Sequence, residues 1–264
     1  LVMTATPIPR SLAMSLYADC DYSVIDQLPA SRLPIKTVVM ADASRNKLIE
    51  RVRSHVSGGS QVYWVCPLID PSEVIQAQAV SRLYQILSRA LPELSIGVMH
   101  GQMDSSEKDK IMHSFKDNKI QLLVATTVIE VGVDVSNANL MIIENAQRMG
   151  LSQLHQLRGR VGRGSEQGFC VLLYQQGLSD IGAKRLDLIR NSTDGFKLSE
   201  ADLEIRGPGS LLGTEQSGHM RFKSAITAGF ILNNSELVRN LYDSLSSNQD
   251  DNWEIVLKYR WENR

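Results

Sequence analysis

Apolar positions alternate between two spacings along most of the chain, and that alternation predicts its architecture. Runs of four to eight mostly apolar residues read as strands at Ile35–Met40, Gln61–Cys66, Ser95–Met99, Ile120–Ala125, Leu140–Glu144 and Phe169–Tyr174. Between them, apolar residues recur at helical spacing over Ser44–Val56, Ser72–Leu91, Asp104–Phe115 and Ser152–Val161. Strands that alternate with helices of this length call for right-handed crossovers, a parallel sheet and helices on both faces. The expected fold is therefore α/β, a doubly wound parallel sheet, followed by a C-terminal helical appendage. The pattern breaks after about residue 190. Asp194-Gly195-Phe196 reads as a turn, Leu198–Ile205 as a short amphipathic helix, and Arg206-Gly207-Pro208-Gly209 as a break. Ser224–Ser244 resumes helical spacing, and Trp253–Trp261 reads as a strand or extended tail. Phe196, Leu198, Leu203 and Leu211 are the expected buried contacts of this last part.

Ahead of the regular pattern, Leu1-Val2-Met3-Thr4-Ala5-Thr6 reads as the last strand of another domain. Arg10–Ala18 has helical spacing, and Leu28–Pro34 reads as a linker. With Leu rather than Met in first place, the expectation is a cut fragment. Three domains follow from this reading: residues 1–32 as the end of a first domain with its linker, 33–190 as the α/β domain, and 191–264 as the appendage and tail.

Composition narrows the classes. The 264 residues are 43% hydrophobic and 22% charged, which suits a folded globular chain and excludes whole-chain disorder or coiled coil. The longest nearly continuous apolar stretch, Val62–Ile69, is far short of a membrane span, so no membrane partner is expected. Cys20, Cys66 and Cys170 are widely separated, with no ligand spacing, so neither a disulfide framework nor a metal site is expected, and the setting expected is the reducing cytoplasm.

A net charge of −1 conceals one local asymmetry. Residues 145–164 hold Arg148, His155, Arg158, Arg160 and Arg163 and no acid. Three arginines in Gln156-Leu157-Arg158-Gly159-Arg160-Val161-Gly162-Arg163-Gly164 would repel one another unless an anion lay among them, and the guanidinium fork suits phosphate. The plainer reading is a basic helix end, favoured by the helix dipole. Ligands of open parallel sheets bind where strands end, which directs attention to the loops at His100, Thr126 and Ala146. In Ala125–Asp134, Thr126 and Thr127 could hold a phosphate and Asp134 a ribose hydroxyl; equally, Thr127 could cap a helix and Asp134 sit in a solvated turn. None of the 18 glycines precedes a Lys and no Asp precedes a Glu, so a phosphate loop and an Asp-Glu metal box are both missing. The arginines cannot act on a nucleotide that this chain holds alone.

Four segments together resemble the motif set of superfamily 2 helicases. Thr4-Ala5-Thr6-Pro7 resembles motif III, Ala125–Asp134 motif V and Gln156–Arg163 motif VI. Val98-Met99-His100-Gly101-Gln102-Met103 resembles the strand end of the second motor domain that lies along nucleic acid. Asp194–Phe196 and Ser199–Gly218 resemble the translocation segment shared by branched-DNA helicases and transcription-repair coupling factors, with the branched-DNA helicases the better match.

The resemblance implies a RecA-like fold and gives each residue a role. Arg160 and Arg163 would be arginine fingers, and Gly132, Asp134 and Gln156 would face the nucleotide. His100, Gly101, Thr126 and Thr127 would contact DNA, while Thr4, Thr6, Arg206 and Gln216 would couple hydrolysis to movement. ATP and Mg2+ would be held mainly by the first motor domain, so residues 1–264 alone would be inactive. Implied partners are forks and Holliday junctions in recombination and repair, and a single-strand DNA-binding protein, in a bacterial cytoplasm close to the nucleoid. A duplex translocase that pushes RNA polymerase and a non-catalytic nucleic-acid-binding module are the rival readings. Ser136, where this family often has Pro, and Glu215, where a basic or polar residue is usual, depart from the pattern.

Overall fold

The computed structural model describes residues 32–67, 73–126, 135–164 and 166–206. Contacts divide the chain into two units, and the described residues up to Ile205 all belong to one of them. Its six strands are β1 (Lys36–Ala41), β2 (Gln61–Cys66), β3 (Ile96–Met99), β4 (Leu122–Thr126), β5 (Ala138–Ile143) and β6 (Phe169–Tyr174). Its helices are α1 (Arg45–Ser57), α2 (Glu73–Ala90), α3 (Ser105–Lys116), α4 (Leu151–Arg158), α5 (Asp180–Asn191) and α6 (Gly195–Arg206). Single 3-10 turns at Asp42–Ser44 and Ala146–Arg148 precede α1 and α4.

The strands form one parallel sheet in the order β1-β6-β5-β2-β4-β3. From β1 to β3 the chain steps toward one side of the sheet, and from β3 to β6 it steps back. A right-handed crossover puts its helix on a face set by the direction of the step, so the reversal covers both faces. One face carries Leu48, Val52 and Val56 of α1 and Val80, Leu83 and Leu87 of α2 against Val62, Trp64, Val124 and Ile142. The other carries Met112 and Phe115 of α3, Leu154 of α4, Leu186 and Ile189 of α5 and Leu198 of α6 against Tyr63, Val65, Leu123 and Met141. All five residues of β4 and all six of β5 are buried, as expected of inner strands covered on both sides.

Within the described residues the expected strands and helices are present, most with shifted ends, while those expected at Leu1–Thr6, Arg10–Ala18, Ser224–Ser244 and Trp253–Trp261 lie outside the described residues. β5 starts two residues early, and α4 stops at Arg158 instead of Val161. α5 was not expected; Ser179 caps it, its Oγ accepting from Gly182 N at 3.1 Å. The expected turn at Asp194–Phe196 is instead the start of α6, where Asp194 Oδ1 accepts from the amides of Phe196 (2.9 Å) and Lys197 (3.4 Å). Leu198 is buried as expected, but Phe196 is 46% exposed, because it sits in the first turn of the helix on the outward side. The Leu203 side chain and Leu211 lie outside the described residues.

Two polar clusters tie the layers together. Glu144, just past β5, is buried and takes both Arg45 from the start of α1 (Nη2 at 2.8 Å) and the indole Nε1 of Trp64 (2.8 Å). Beside it, burial first and the Glu144 charge second push the Cys66 thiol up to about 12, so it stays protonated. On the opposite face, Arg158 is only 3% exposed. It donates to Ile189 O (2.7 Å) and Ser192 O (2.8 Å) at the end of α5, to Thr37 Oγ1 (3.4 Å) on β1, and to His155 Nδ1 (2.8 Å). A guanidinium has no acceptor, so His155 Nδ1 must accept and the imidazole is neutral, with its proton on Nε2. Burial, followed by the Arg158 charge, lowers the His155 pKa from 6.5 to about 4, with Asp194 opposing.

Glu144→Ala would leave the Arg45 and Trp64 donors without their acceptor, and the expected loss in urea unfolding is about 3 kcal/mol or more. A loss below about 1 kcal/mol, the scale of exposed pairs, would show that the pair is solvated. His155 gives a pH signature. Between pH 6.5 and about 4 the unfolded chain binds a proton that the folded chain does not. The His155 contribution to stability is thus complete above that window and is lost as pH falls through it. His155→Gln should therefore gain on the wild type as pH falls through that range, whereas a constant difference in stability would contradict the neutral assignment.

Candidate functional site

Helix α4 starts where β5 ends and runs back along the sheet, so the residues after it emerge at the edge where the strands begin. Its first amide, Leu151 N, donates to Asp202 Oδ1 of α6 at 3.3 Å, which puts a carboxylate at the positive end of the helix dipole. At its other end Arg158 is locked into α5, as described above. This corrects the expectation that the three arginines share one anion: Arg158 spends its donors on protein carbonyls.

Arg160 and Arg163 stand on the loop that follows. Gly162 turns this loop with φ +66, and its amide donates to Ala138 O, on the first residue of β5, at 3.2 Å. A Cβ on Gly168 would come within 2.9 Å of the Gly162 Cα, and one on Gly164 within 2.9 Å of Ser136 O. The glycines thus let the backbone lie directly against the start of β5 and of β6. On this braced loop Arg160 is half-buried, and its guanidinium has no hydrogen-bond or ion-pair partner among the described residues. Arg163 is exposed, and Gln156 is exposed on α4. Next to the loop, Gly58, Gly59, Ser60, Ser136, Asn137, Asn139, Gly164 and Glu166 line a polar cavity of 290 Å³. Asn139 is pinned within it, donating to Ser60 Oγ (3.0 Å) and Glu166 Oε2 (2.9 Å) and paired with His55 Nε2.

The other predicted residues lie at the opposite edge. His100 directly follows β3, and Thr126 ends β4, where Met99 pairs with Ala125. Among the described residues His100, half-buried, has no partner for its Nδ1, and Thr126, 1% exposed, none for its hydroxyl. The carbonyl of Gly101 accepts from Lys108 Nζ at 2.8 Å. The burial of Thr126 keeps its hydroxyl from a DNA backbone in this conformation. Exposed Arg148, past β5, stands at the same edge. Sequence reasoning missed a polar groove of 420 Å³ there, lined by Ala77, Gln78, Ser81, Arg82 and Gln85 of α2 and by Gln102. The acid-free spacing of Gln78, Arg82 and Gln85 on one helix face was the available signal.

The structure therefore separates the predicted residues into two groups, with His100, Gly101 and Thr126 at one edge and Arg160 and Arg163 at the other. Thr4, Thr6, Thr127, Gly132, Asp134 and Gln216 lie outside the described residues, and Arg206 enters only as the last residue of α6. No group of three or more His, Cys, Asp or Glu that could hold a metal occurs among the described residues, and no described helix is long and apolar enough to cross a membrane.

Comparison with known proteins identifies the parts. Residues 43–165 match the helicase conserved C-terminal domain, and residues 192–243 match the C-terminal part of domain 3 of the ATP-dependent DNA helicase RecG. RecG of Haemophilus influenzae is 58% identical over 219 residues, which are 83% of this chain and 32% of that protein. RecG of Escherichia coli K12 is 57% identical over 226 residues, and that of Bacillus subtilis 46% over 226; each match covers 85% of this chain and 33% of the relative. A solved structure of RecG bound to a three-way DNA junction superposes with a TM-score of 0.70 at 39% identity, covering 90% of this chain and 30% of that one. The chain spans about a third of the length of these relatives. With a helicase C-terminal domain and the RecG-specific segment on one chain, and RecG relatives matching over four fifths of it, the chain belongs to the RecG family of helicases and corresponds to its C-terminal part.

Proposed function

We propose that these residues are part of an ATP-dependent DNA helicase that remodels branched DNA, reversing stalled forks and migrating Holliday junctions in recombination and repair. Residues 33–190 serve as its second motor domain, residues 1–32 as the end of the first domain with the linker, and residues 191–264 as the translocation segment. The observation that carries this reading is the guanidinium of Arg160, which has no partner among the described residues, on a loop braced by backbone contacts. A braced, unpaired cation at a domain edge is organised for an anion that comes from elsewhere.

In this reading the first motor domain holds ATP and Mg2+, and the described residues offer Mg2+ no carboxylate cluster of their own. Arg160 and Arg163 reach the γ-phosphate and neutralise the charge that builds on its oxygens during transfer, a role worth about 10³–10⁵ in rate. Arginine suits the task because it cannot lose its proton at the pH of the reaction. Gly132, Asp134 and Gln156 face the nucleotide from the same side. His100, Gly101 and Thr127 lie along the DNA backbone, while Thr126, buried in this conformation, does not, so affinity is salt-dependent and specificity comes from branch shape. Thr4, Thr6, Arg206 and Gln216 convert closure of the two motors into movement of duplex DNA. A single-strand DNA-binding protein is a further partner, and the helicase works in the bacterial cytoplasm at the nucleoid.

Support for the branched-DNA reading over an RNA-polymerase-pushing translocase comes from the relatives named above, each a RecG, and from the junction bound in the related structure. The test is Arg160→Ala in the full-length helicase. Fork-stimulated ATP turnover should fall by about 10³-fold or more, while binding to a three-way junction stays within about threefold. Unchanged turnover would remove Arg160 from the chemistry. Wild-type turnover stimulated equally by linear duplex would move the function to the rival translocase.

A further inference from the structure

The segment that enters β1 runs alongside the arginine loop and contacts it repeatedly. Arg32 Nη2 donates to Gly159 O at 2.8 Å and to Val161 O at 3.3 Å. Those are the carbonyls of the residues immediately before and after Arg160. Two residues on, Pro34 O accepts from Gln167 Nε2 at 2.6 Å, and Lys36 N donates to Gly168 O at 2.9 Å. Between them Ile35 Cγ1 lies 3.4 Å from where a Gly162 Cβ would stand and 3.3 Å from that of Gly168. Residues 32–36 therefore follow the loop from its first residue to its last.

We propose that Arg32 is a positioning residue for Arg160, and that it fixes the direction in which Arg160 is presented to the γ-phosphate. The proposal rests on the reading of Arg160 as an arginine finger. The Gly159 carbonyl belongs to the peptide that enters Arg160 and the Val161 carbonyl to the peptide one residue past it, so one guanidinium bonded to both restrains the chain on each side of Arg160. The amides of Arg160 and Val161 still bond back to Leu157 O and Arg158 O, but the Gly159 and Val161 carbonyls stand past the end of α4, where their donor comes from outside the helix. Both bonds leave the one Nη2 nitrogen, whose two N–H groups are fixed in the guanidinium plane, whereas the N–H groups of an ammonium rotate. Arg32 also belongs to the stretch assigned as the linker between the motor domains. The strand of chain that joins the motors is thus the one that aims the arginine completing the site between them.

A purely structural role would cost stability and leave turnover per folded molecule unchanged, so the test reads both. In the full-length helicase with forked DNA, Arg32→Ala should lower kcat for ATP hydrolysis by about 10–100-fold, the cost of a small misplacement, with KM for ATP and junction affinity within about threefold. Arg32→Lys should fall between wild type and Arg32→Ala. Combined with Arg160→Ala, Arg32→Ala should add no further loss, because it acts through Arg160. Wild-type kcat in Arg32→Ala, or losses that multiply in the double variant, would overturn the proposal. Should Arg32→Ala fail to fold, Arg32→Lys decides, and an unchanged kcat there overturns it equally. Wild-type turnover in Arg160→Ala alone would be a different result, since it removes the finger reading itself.

Discussion

In a parallel sheet every connection must return to the edge from which the strands start, and right-handed crossover makes it do so as a helix packed on one face. In this domain that constraint decides where the chemistry-bearing side chains can go. Residues that directly follow a strand, such as His100, stay at the far edge. Residues that follow a returning helix, such as Arg160, come back to the near edge. α4 has eight residues and spans about 12 Å at 1.5 Å per residue, so its loop is brought down onto the starts of β5 and β6.

The position of that loop depends on how α4 is held, and α4 is held at both ends, by two helices that follow it in sequence and by the first strand. Asp202 of α6 meets its first amide, and Arg158 meets the last carbonyls of α5 and the hydroxyl of Thr37 on β1. The Glu144 cluster stiffens the opposite face in the same way, joining the start of α1 to β2 and to the residue after β5. Between the two edges the sheet interior is apolar and closely covered, so the edges are linked by a stiff body. In the proposed function this stiffness lets nucleotide-driven closure at one edge displace DNA at the other.

Much of this fold was legible in the sequence because inner parallel strands are short, continuous apolar runs. Gln61–Cys66 and Phe169–Tyr174 were read to the residue, since polar or glycine-containing segments bound each of them. α5 escaped because Ile181 is the only large apolar residue in its first half, so helical spacing shows only toward its end, although Gly177 and Ser179-Asp180 were usable turn and helix-start signals. The site was harder to read. Charge type is visible in a sequence, but what a charge touches is not: Arg158 and Arg160 look alike two residues apart, yet one is sealed in the core and the other has no partner among the described residues. Thr126 was read as a contact residue from its place after a buried strand, and the same burial extends to its own side chain. Arg32 lies 127 residues from the carbonyl of Gly159 that it holds, a pairing no local pattern can reveal.

The separation of edges is most directly tested by photo-crosslinking the full-length helicase, in the presence of forked DNA, with an ATP derivative whose reactive group sits on the γ-phosphate. Peptide mapping should place label from residues 33–206 in the loop 159–168, beside Arg160 and Arg163. Label confined to the opposite edge, at residues 100–103 or 144–148, would contradict the assignment of the arginine loop to the nucleotide.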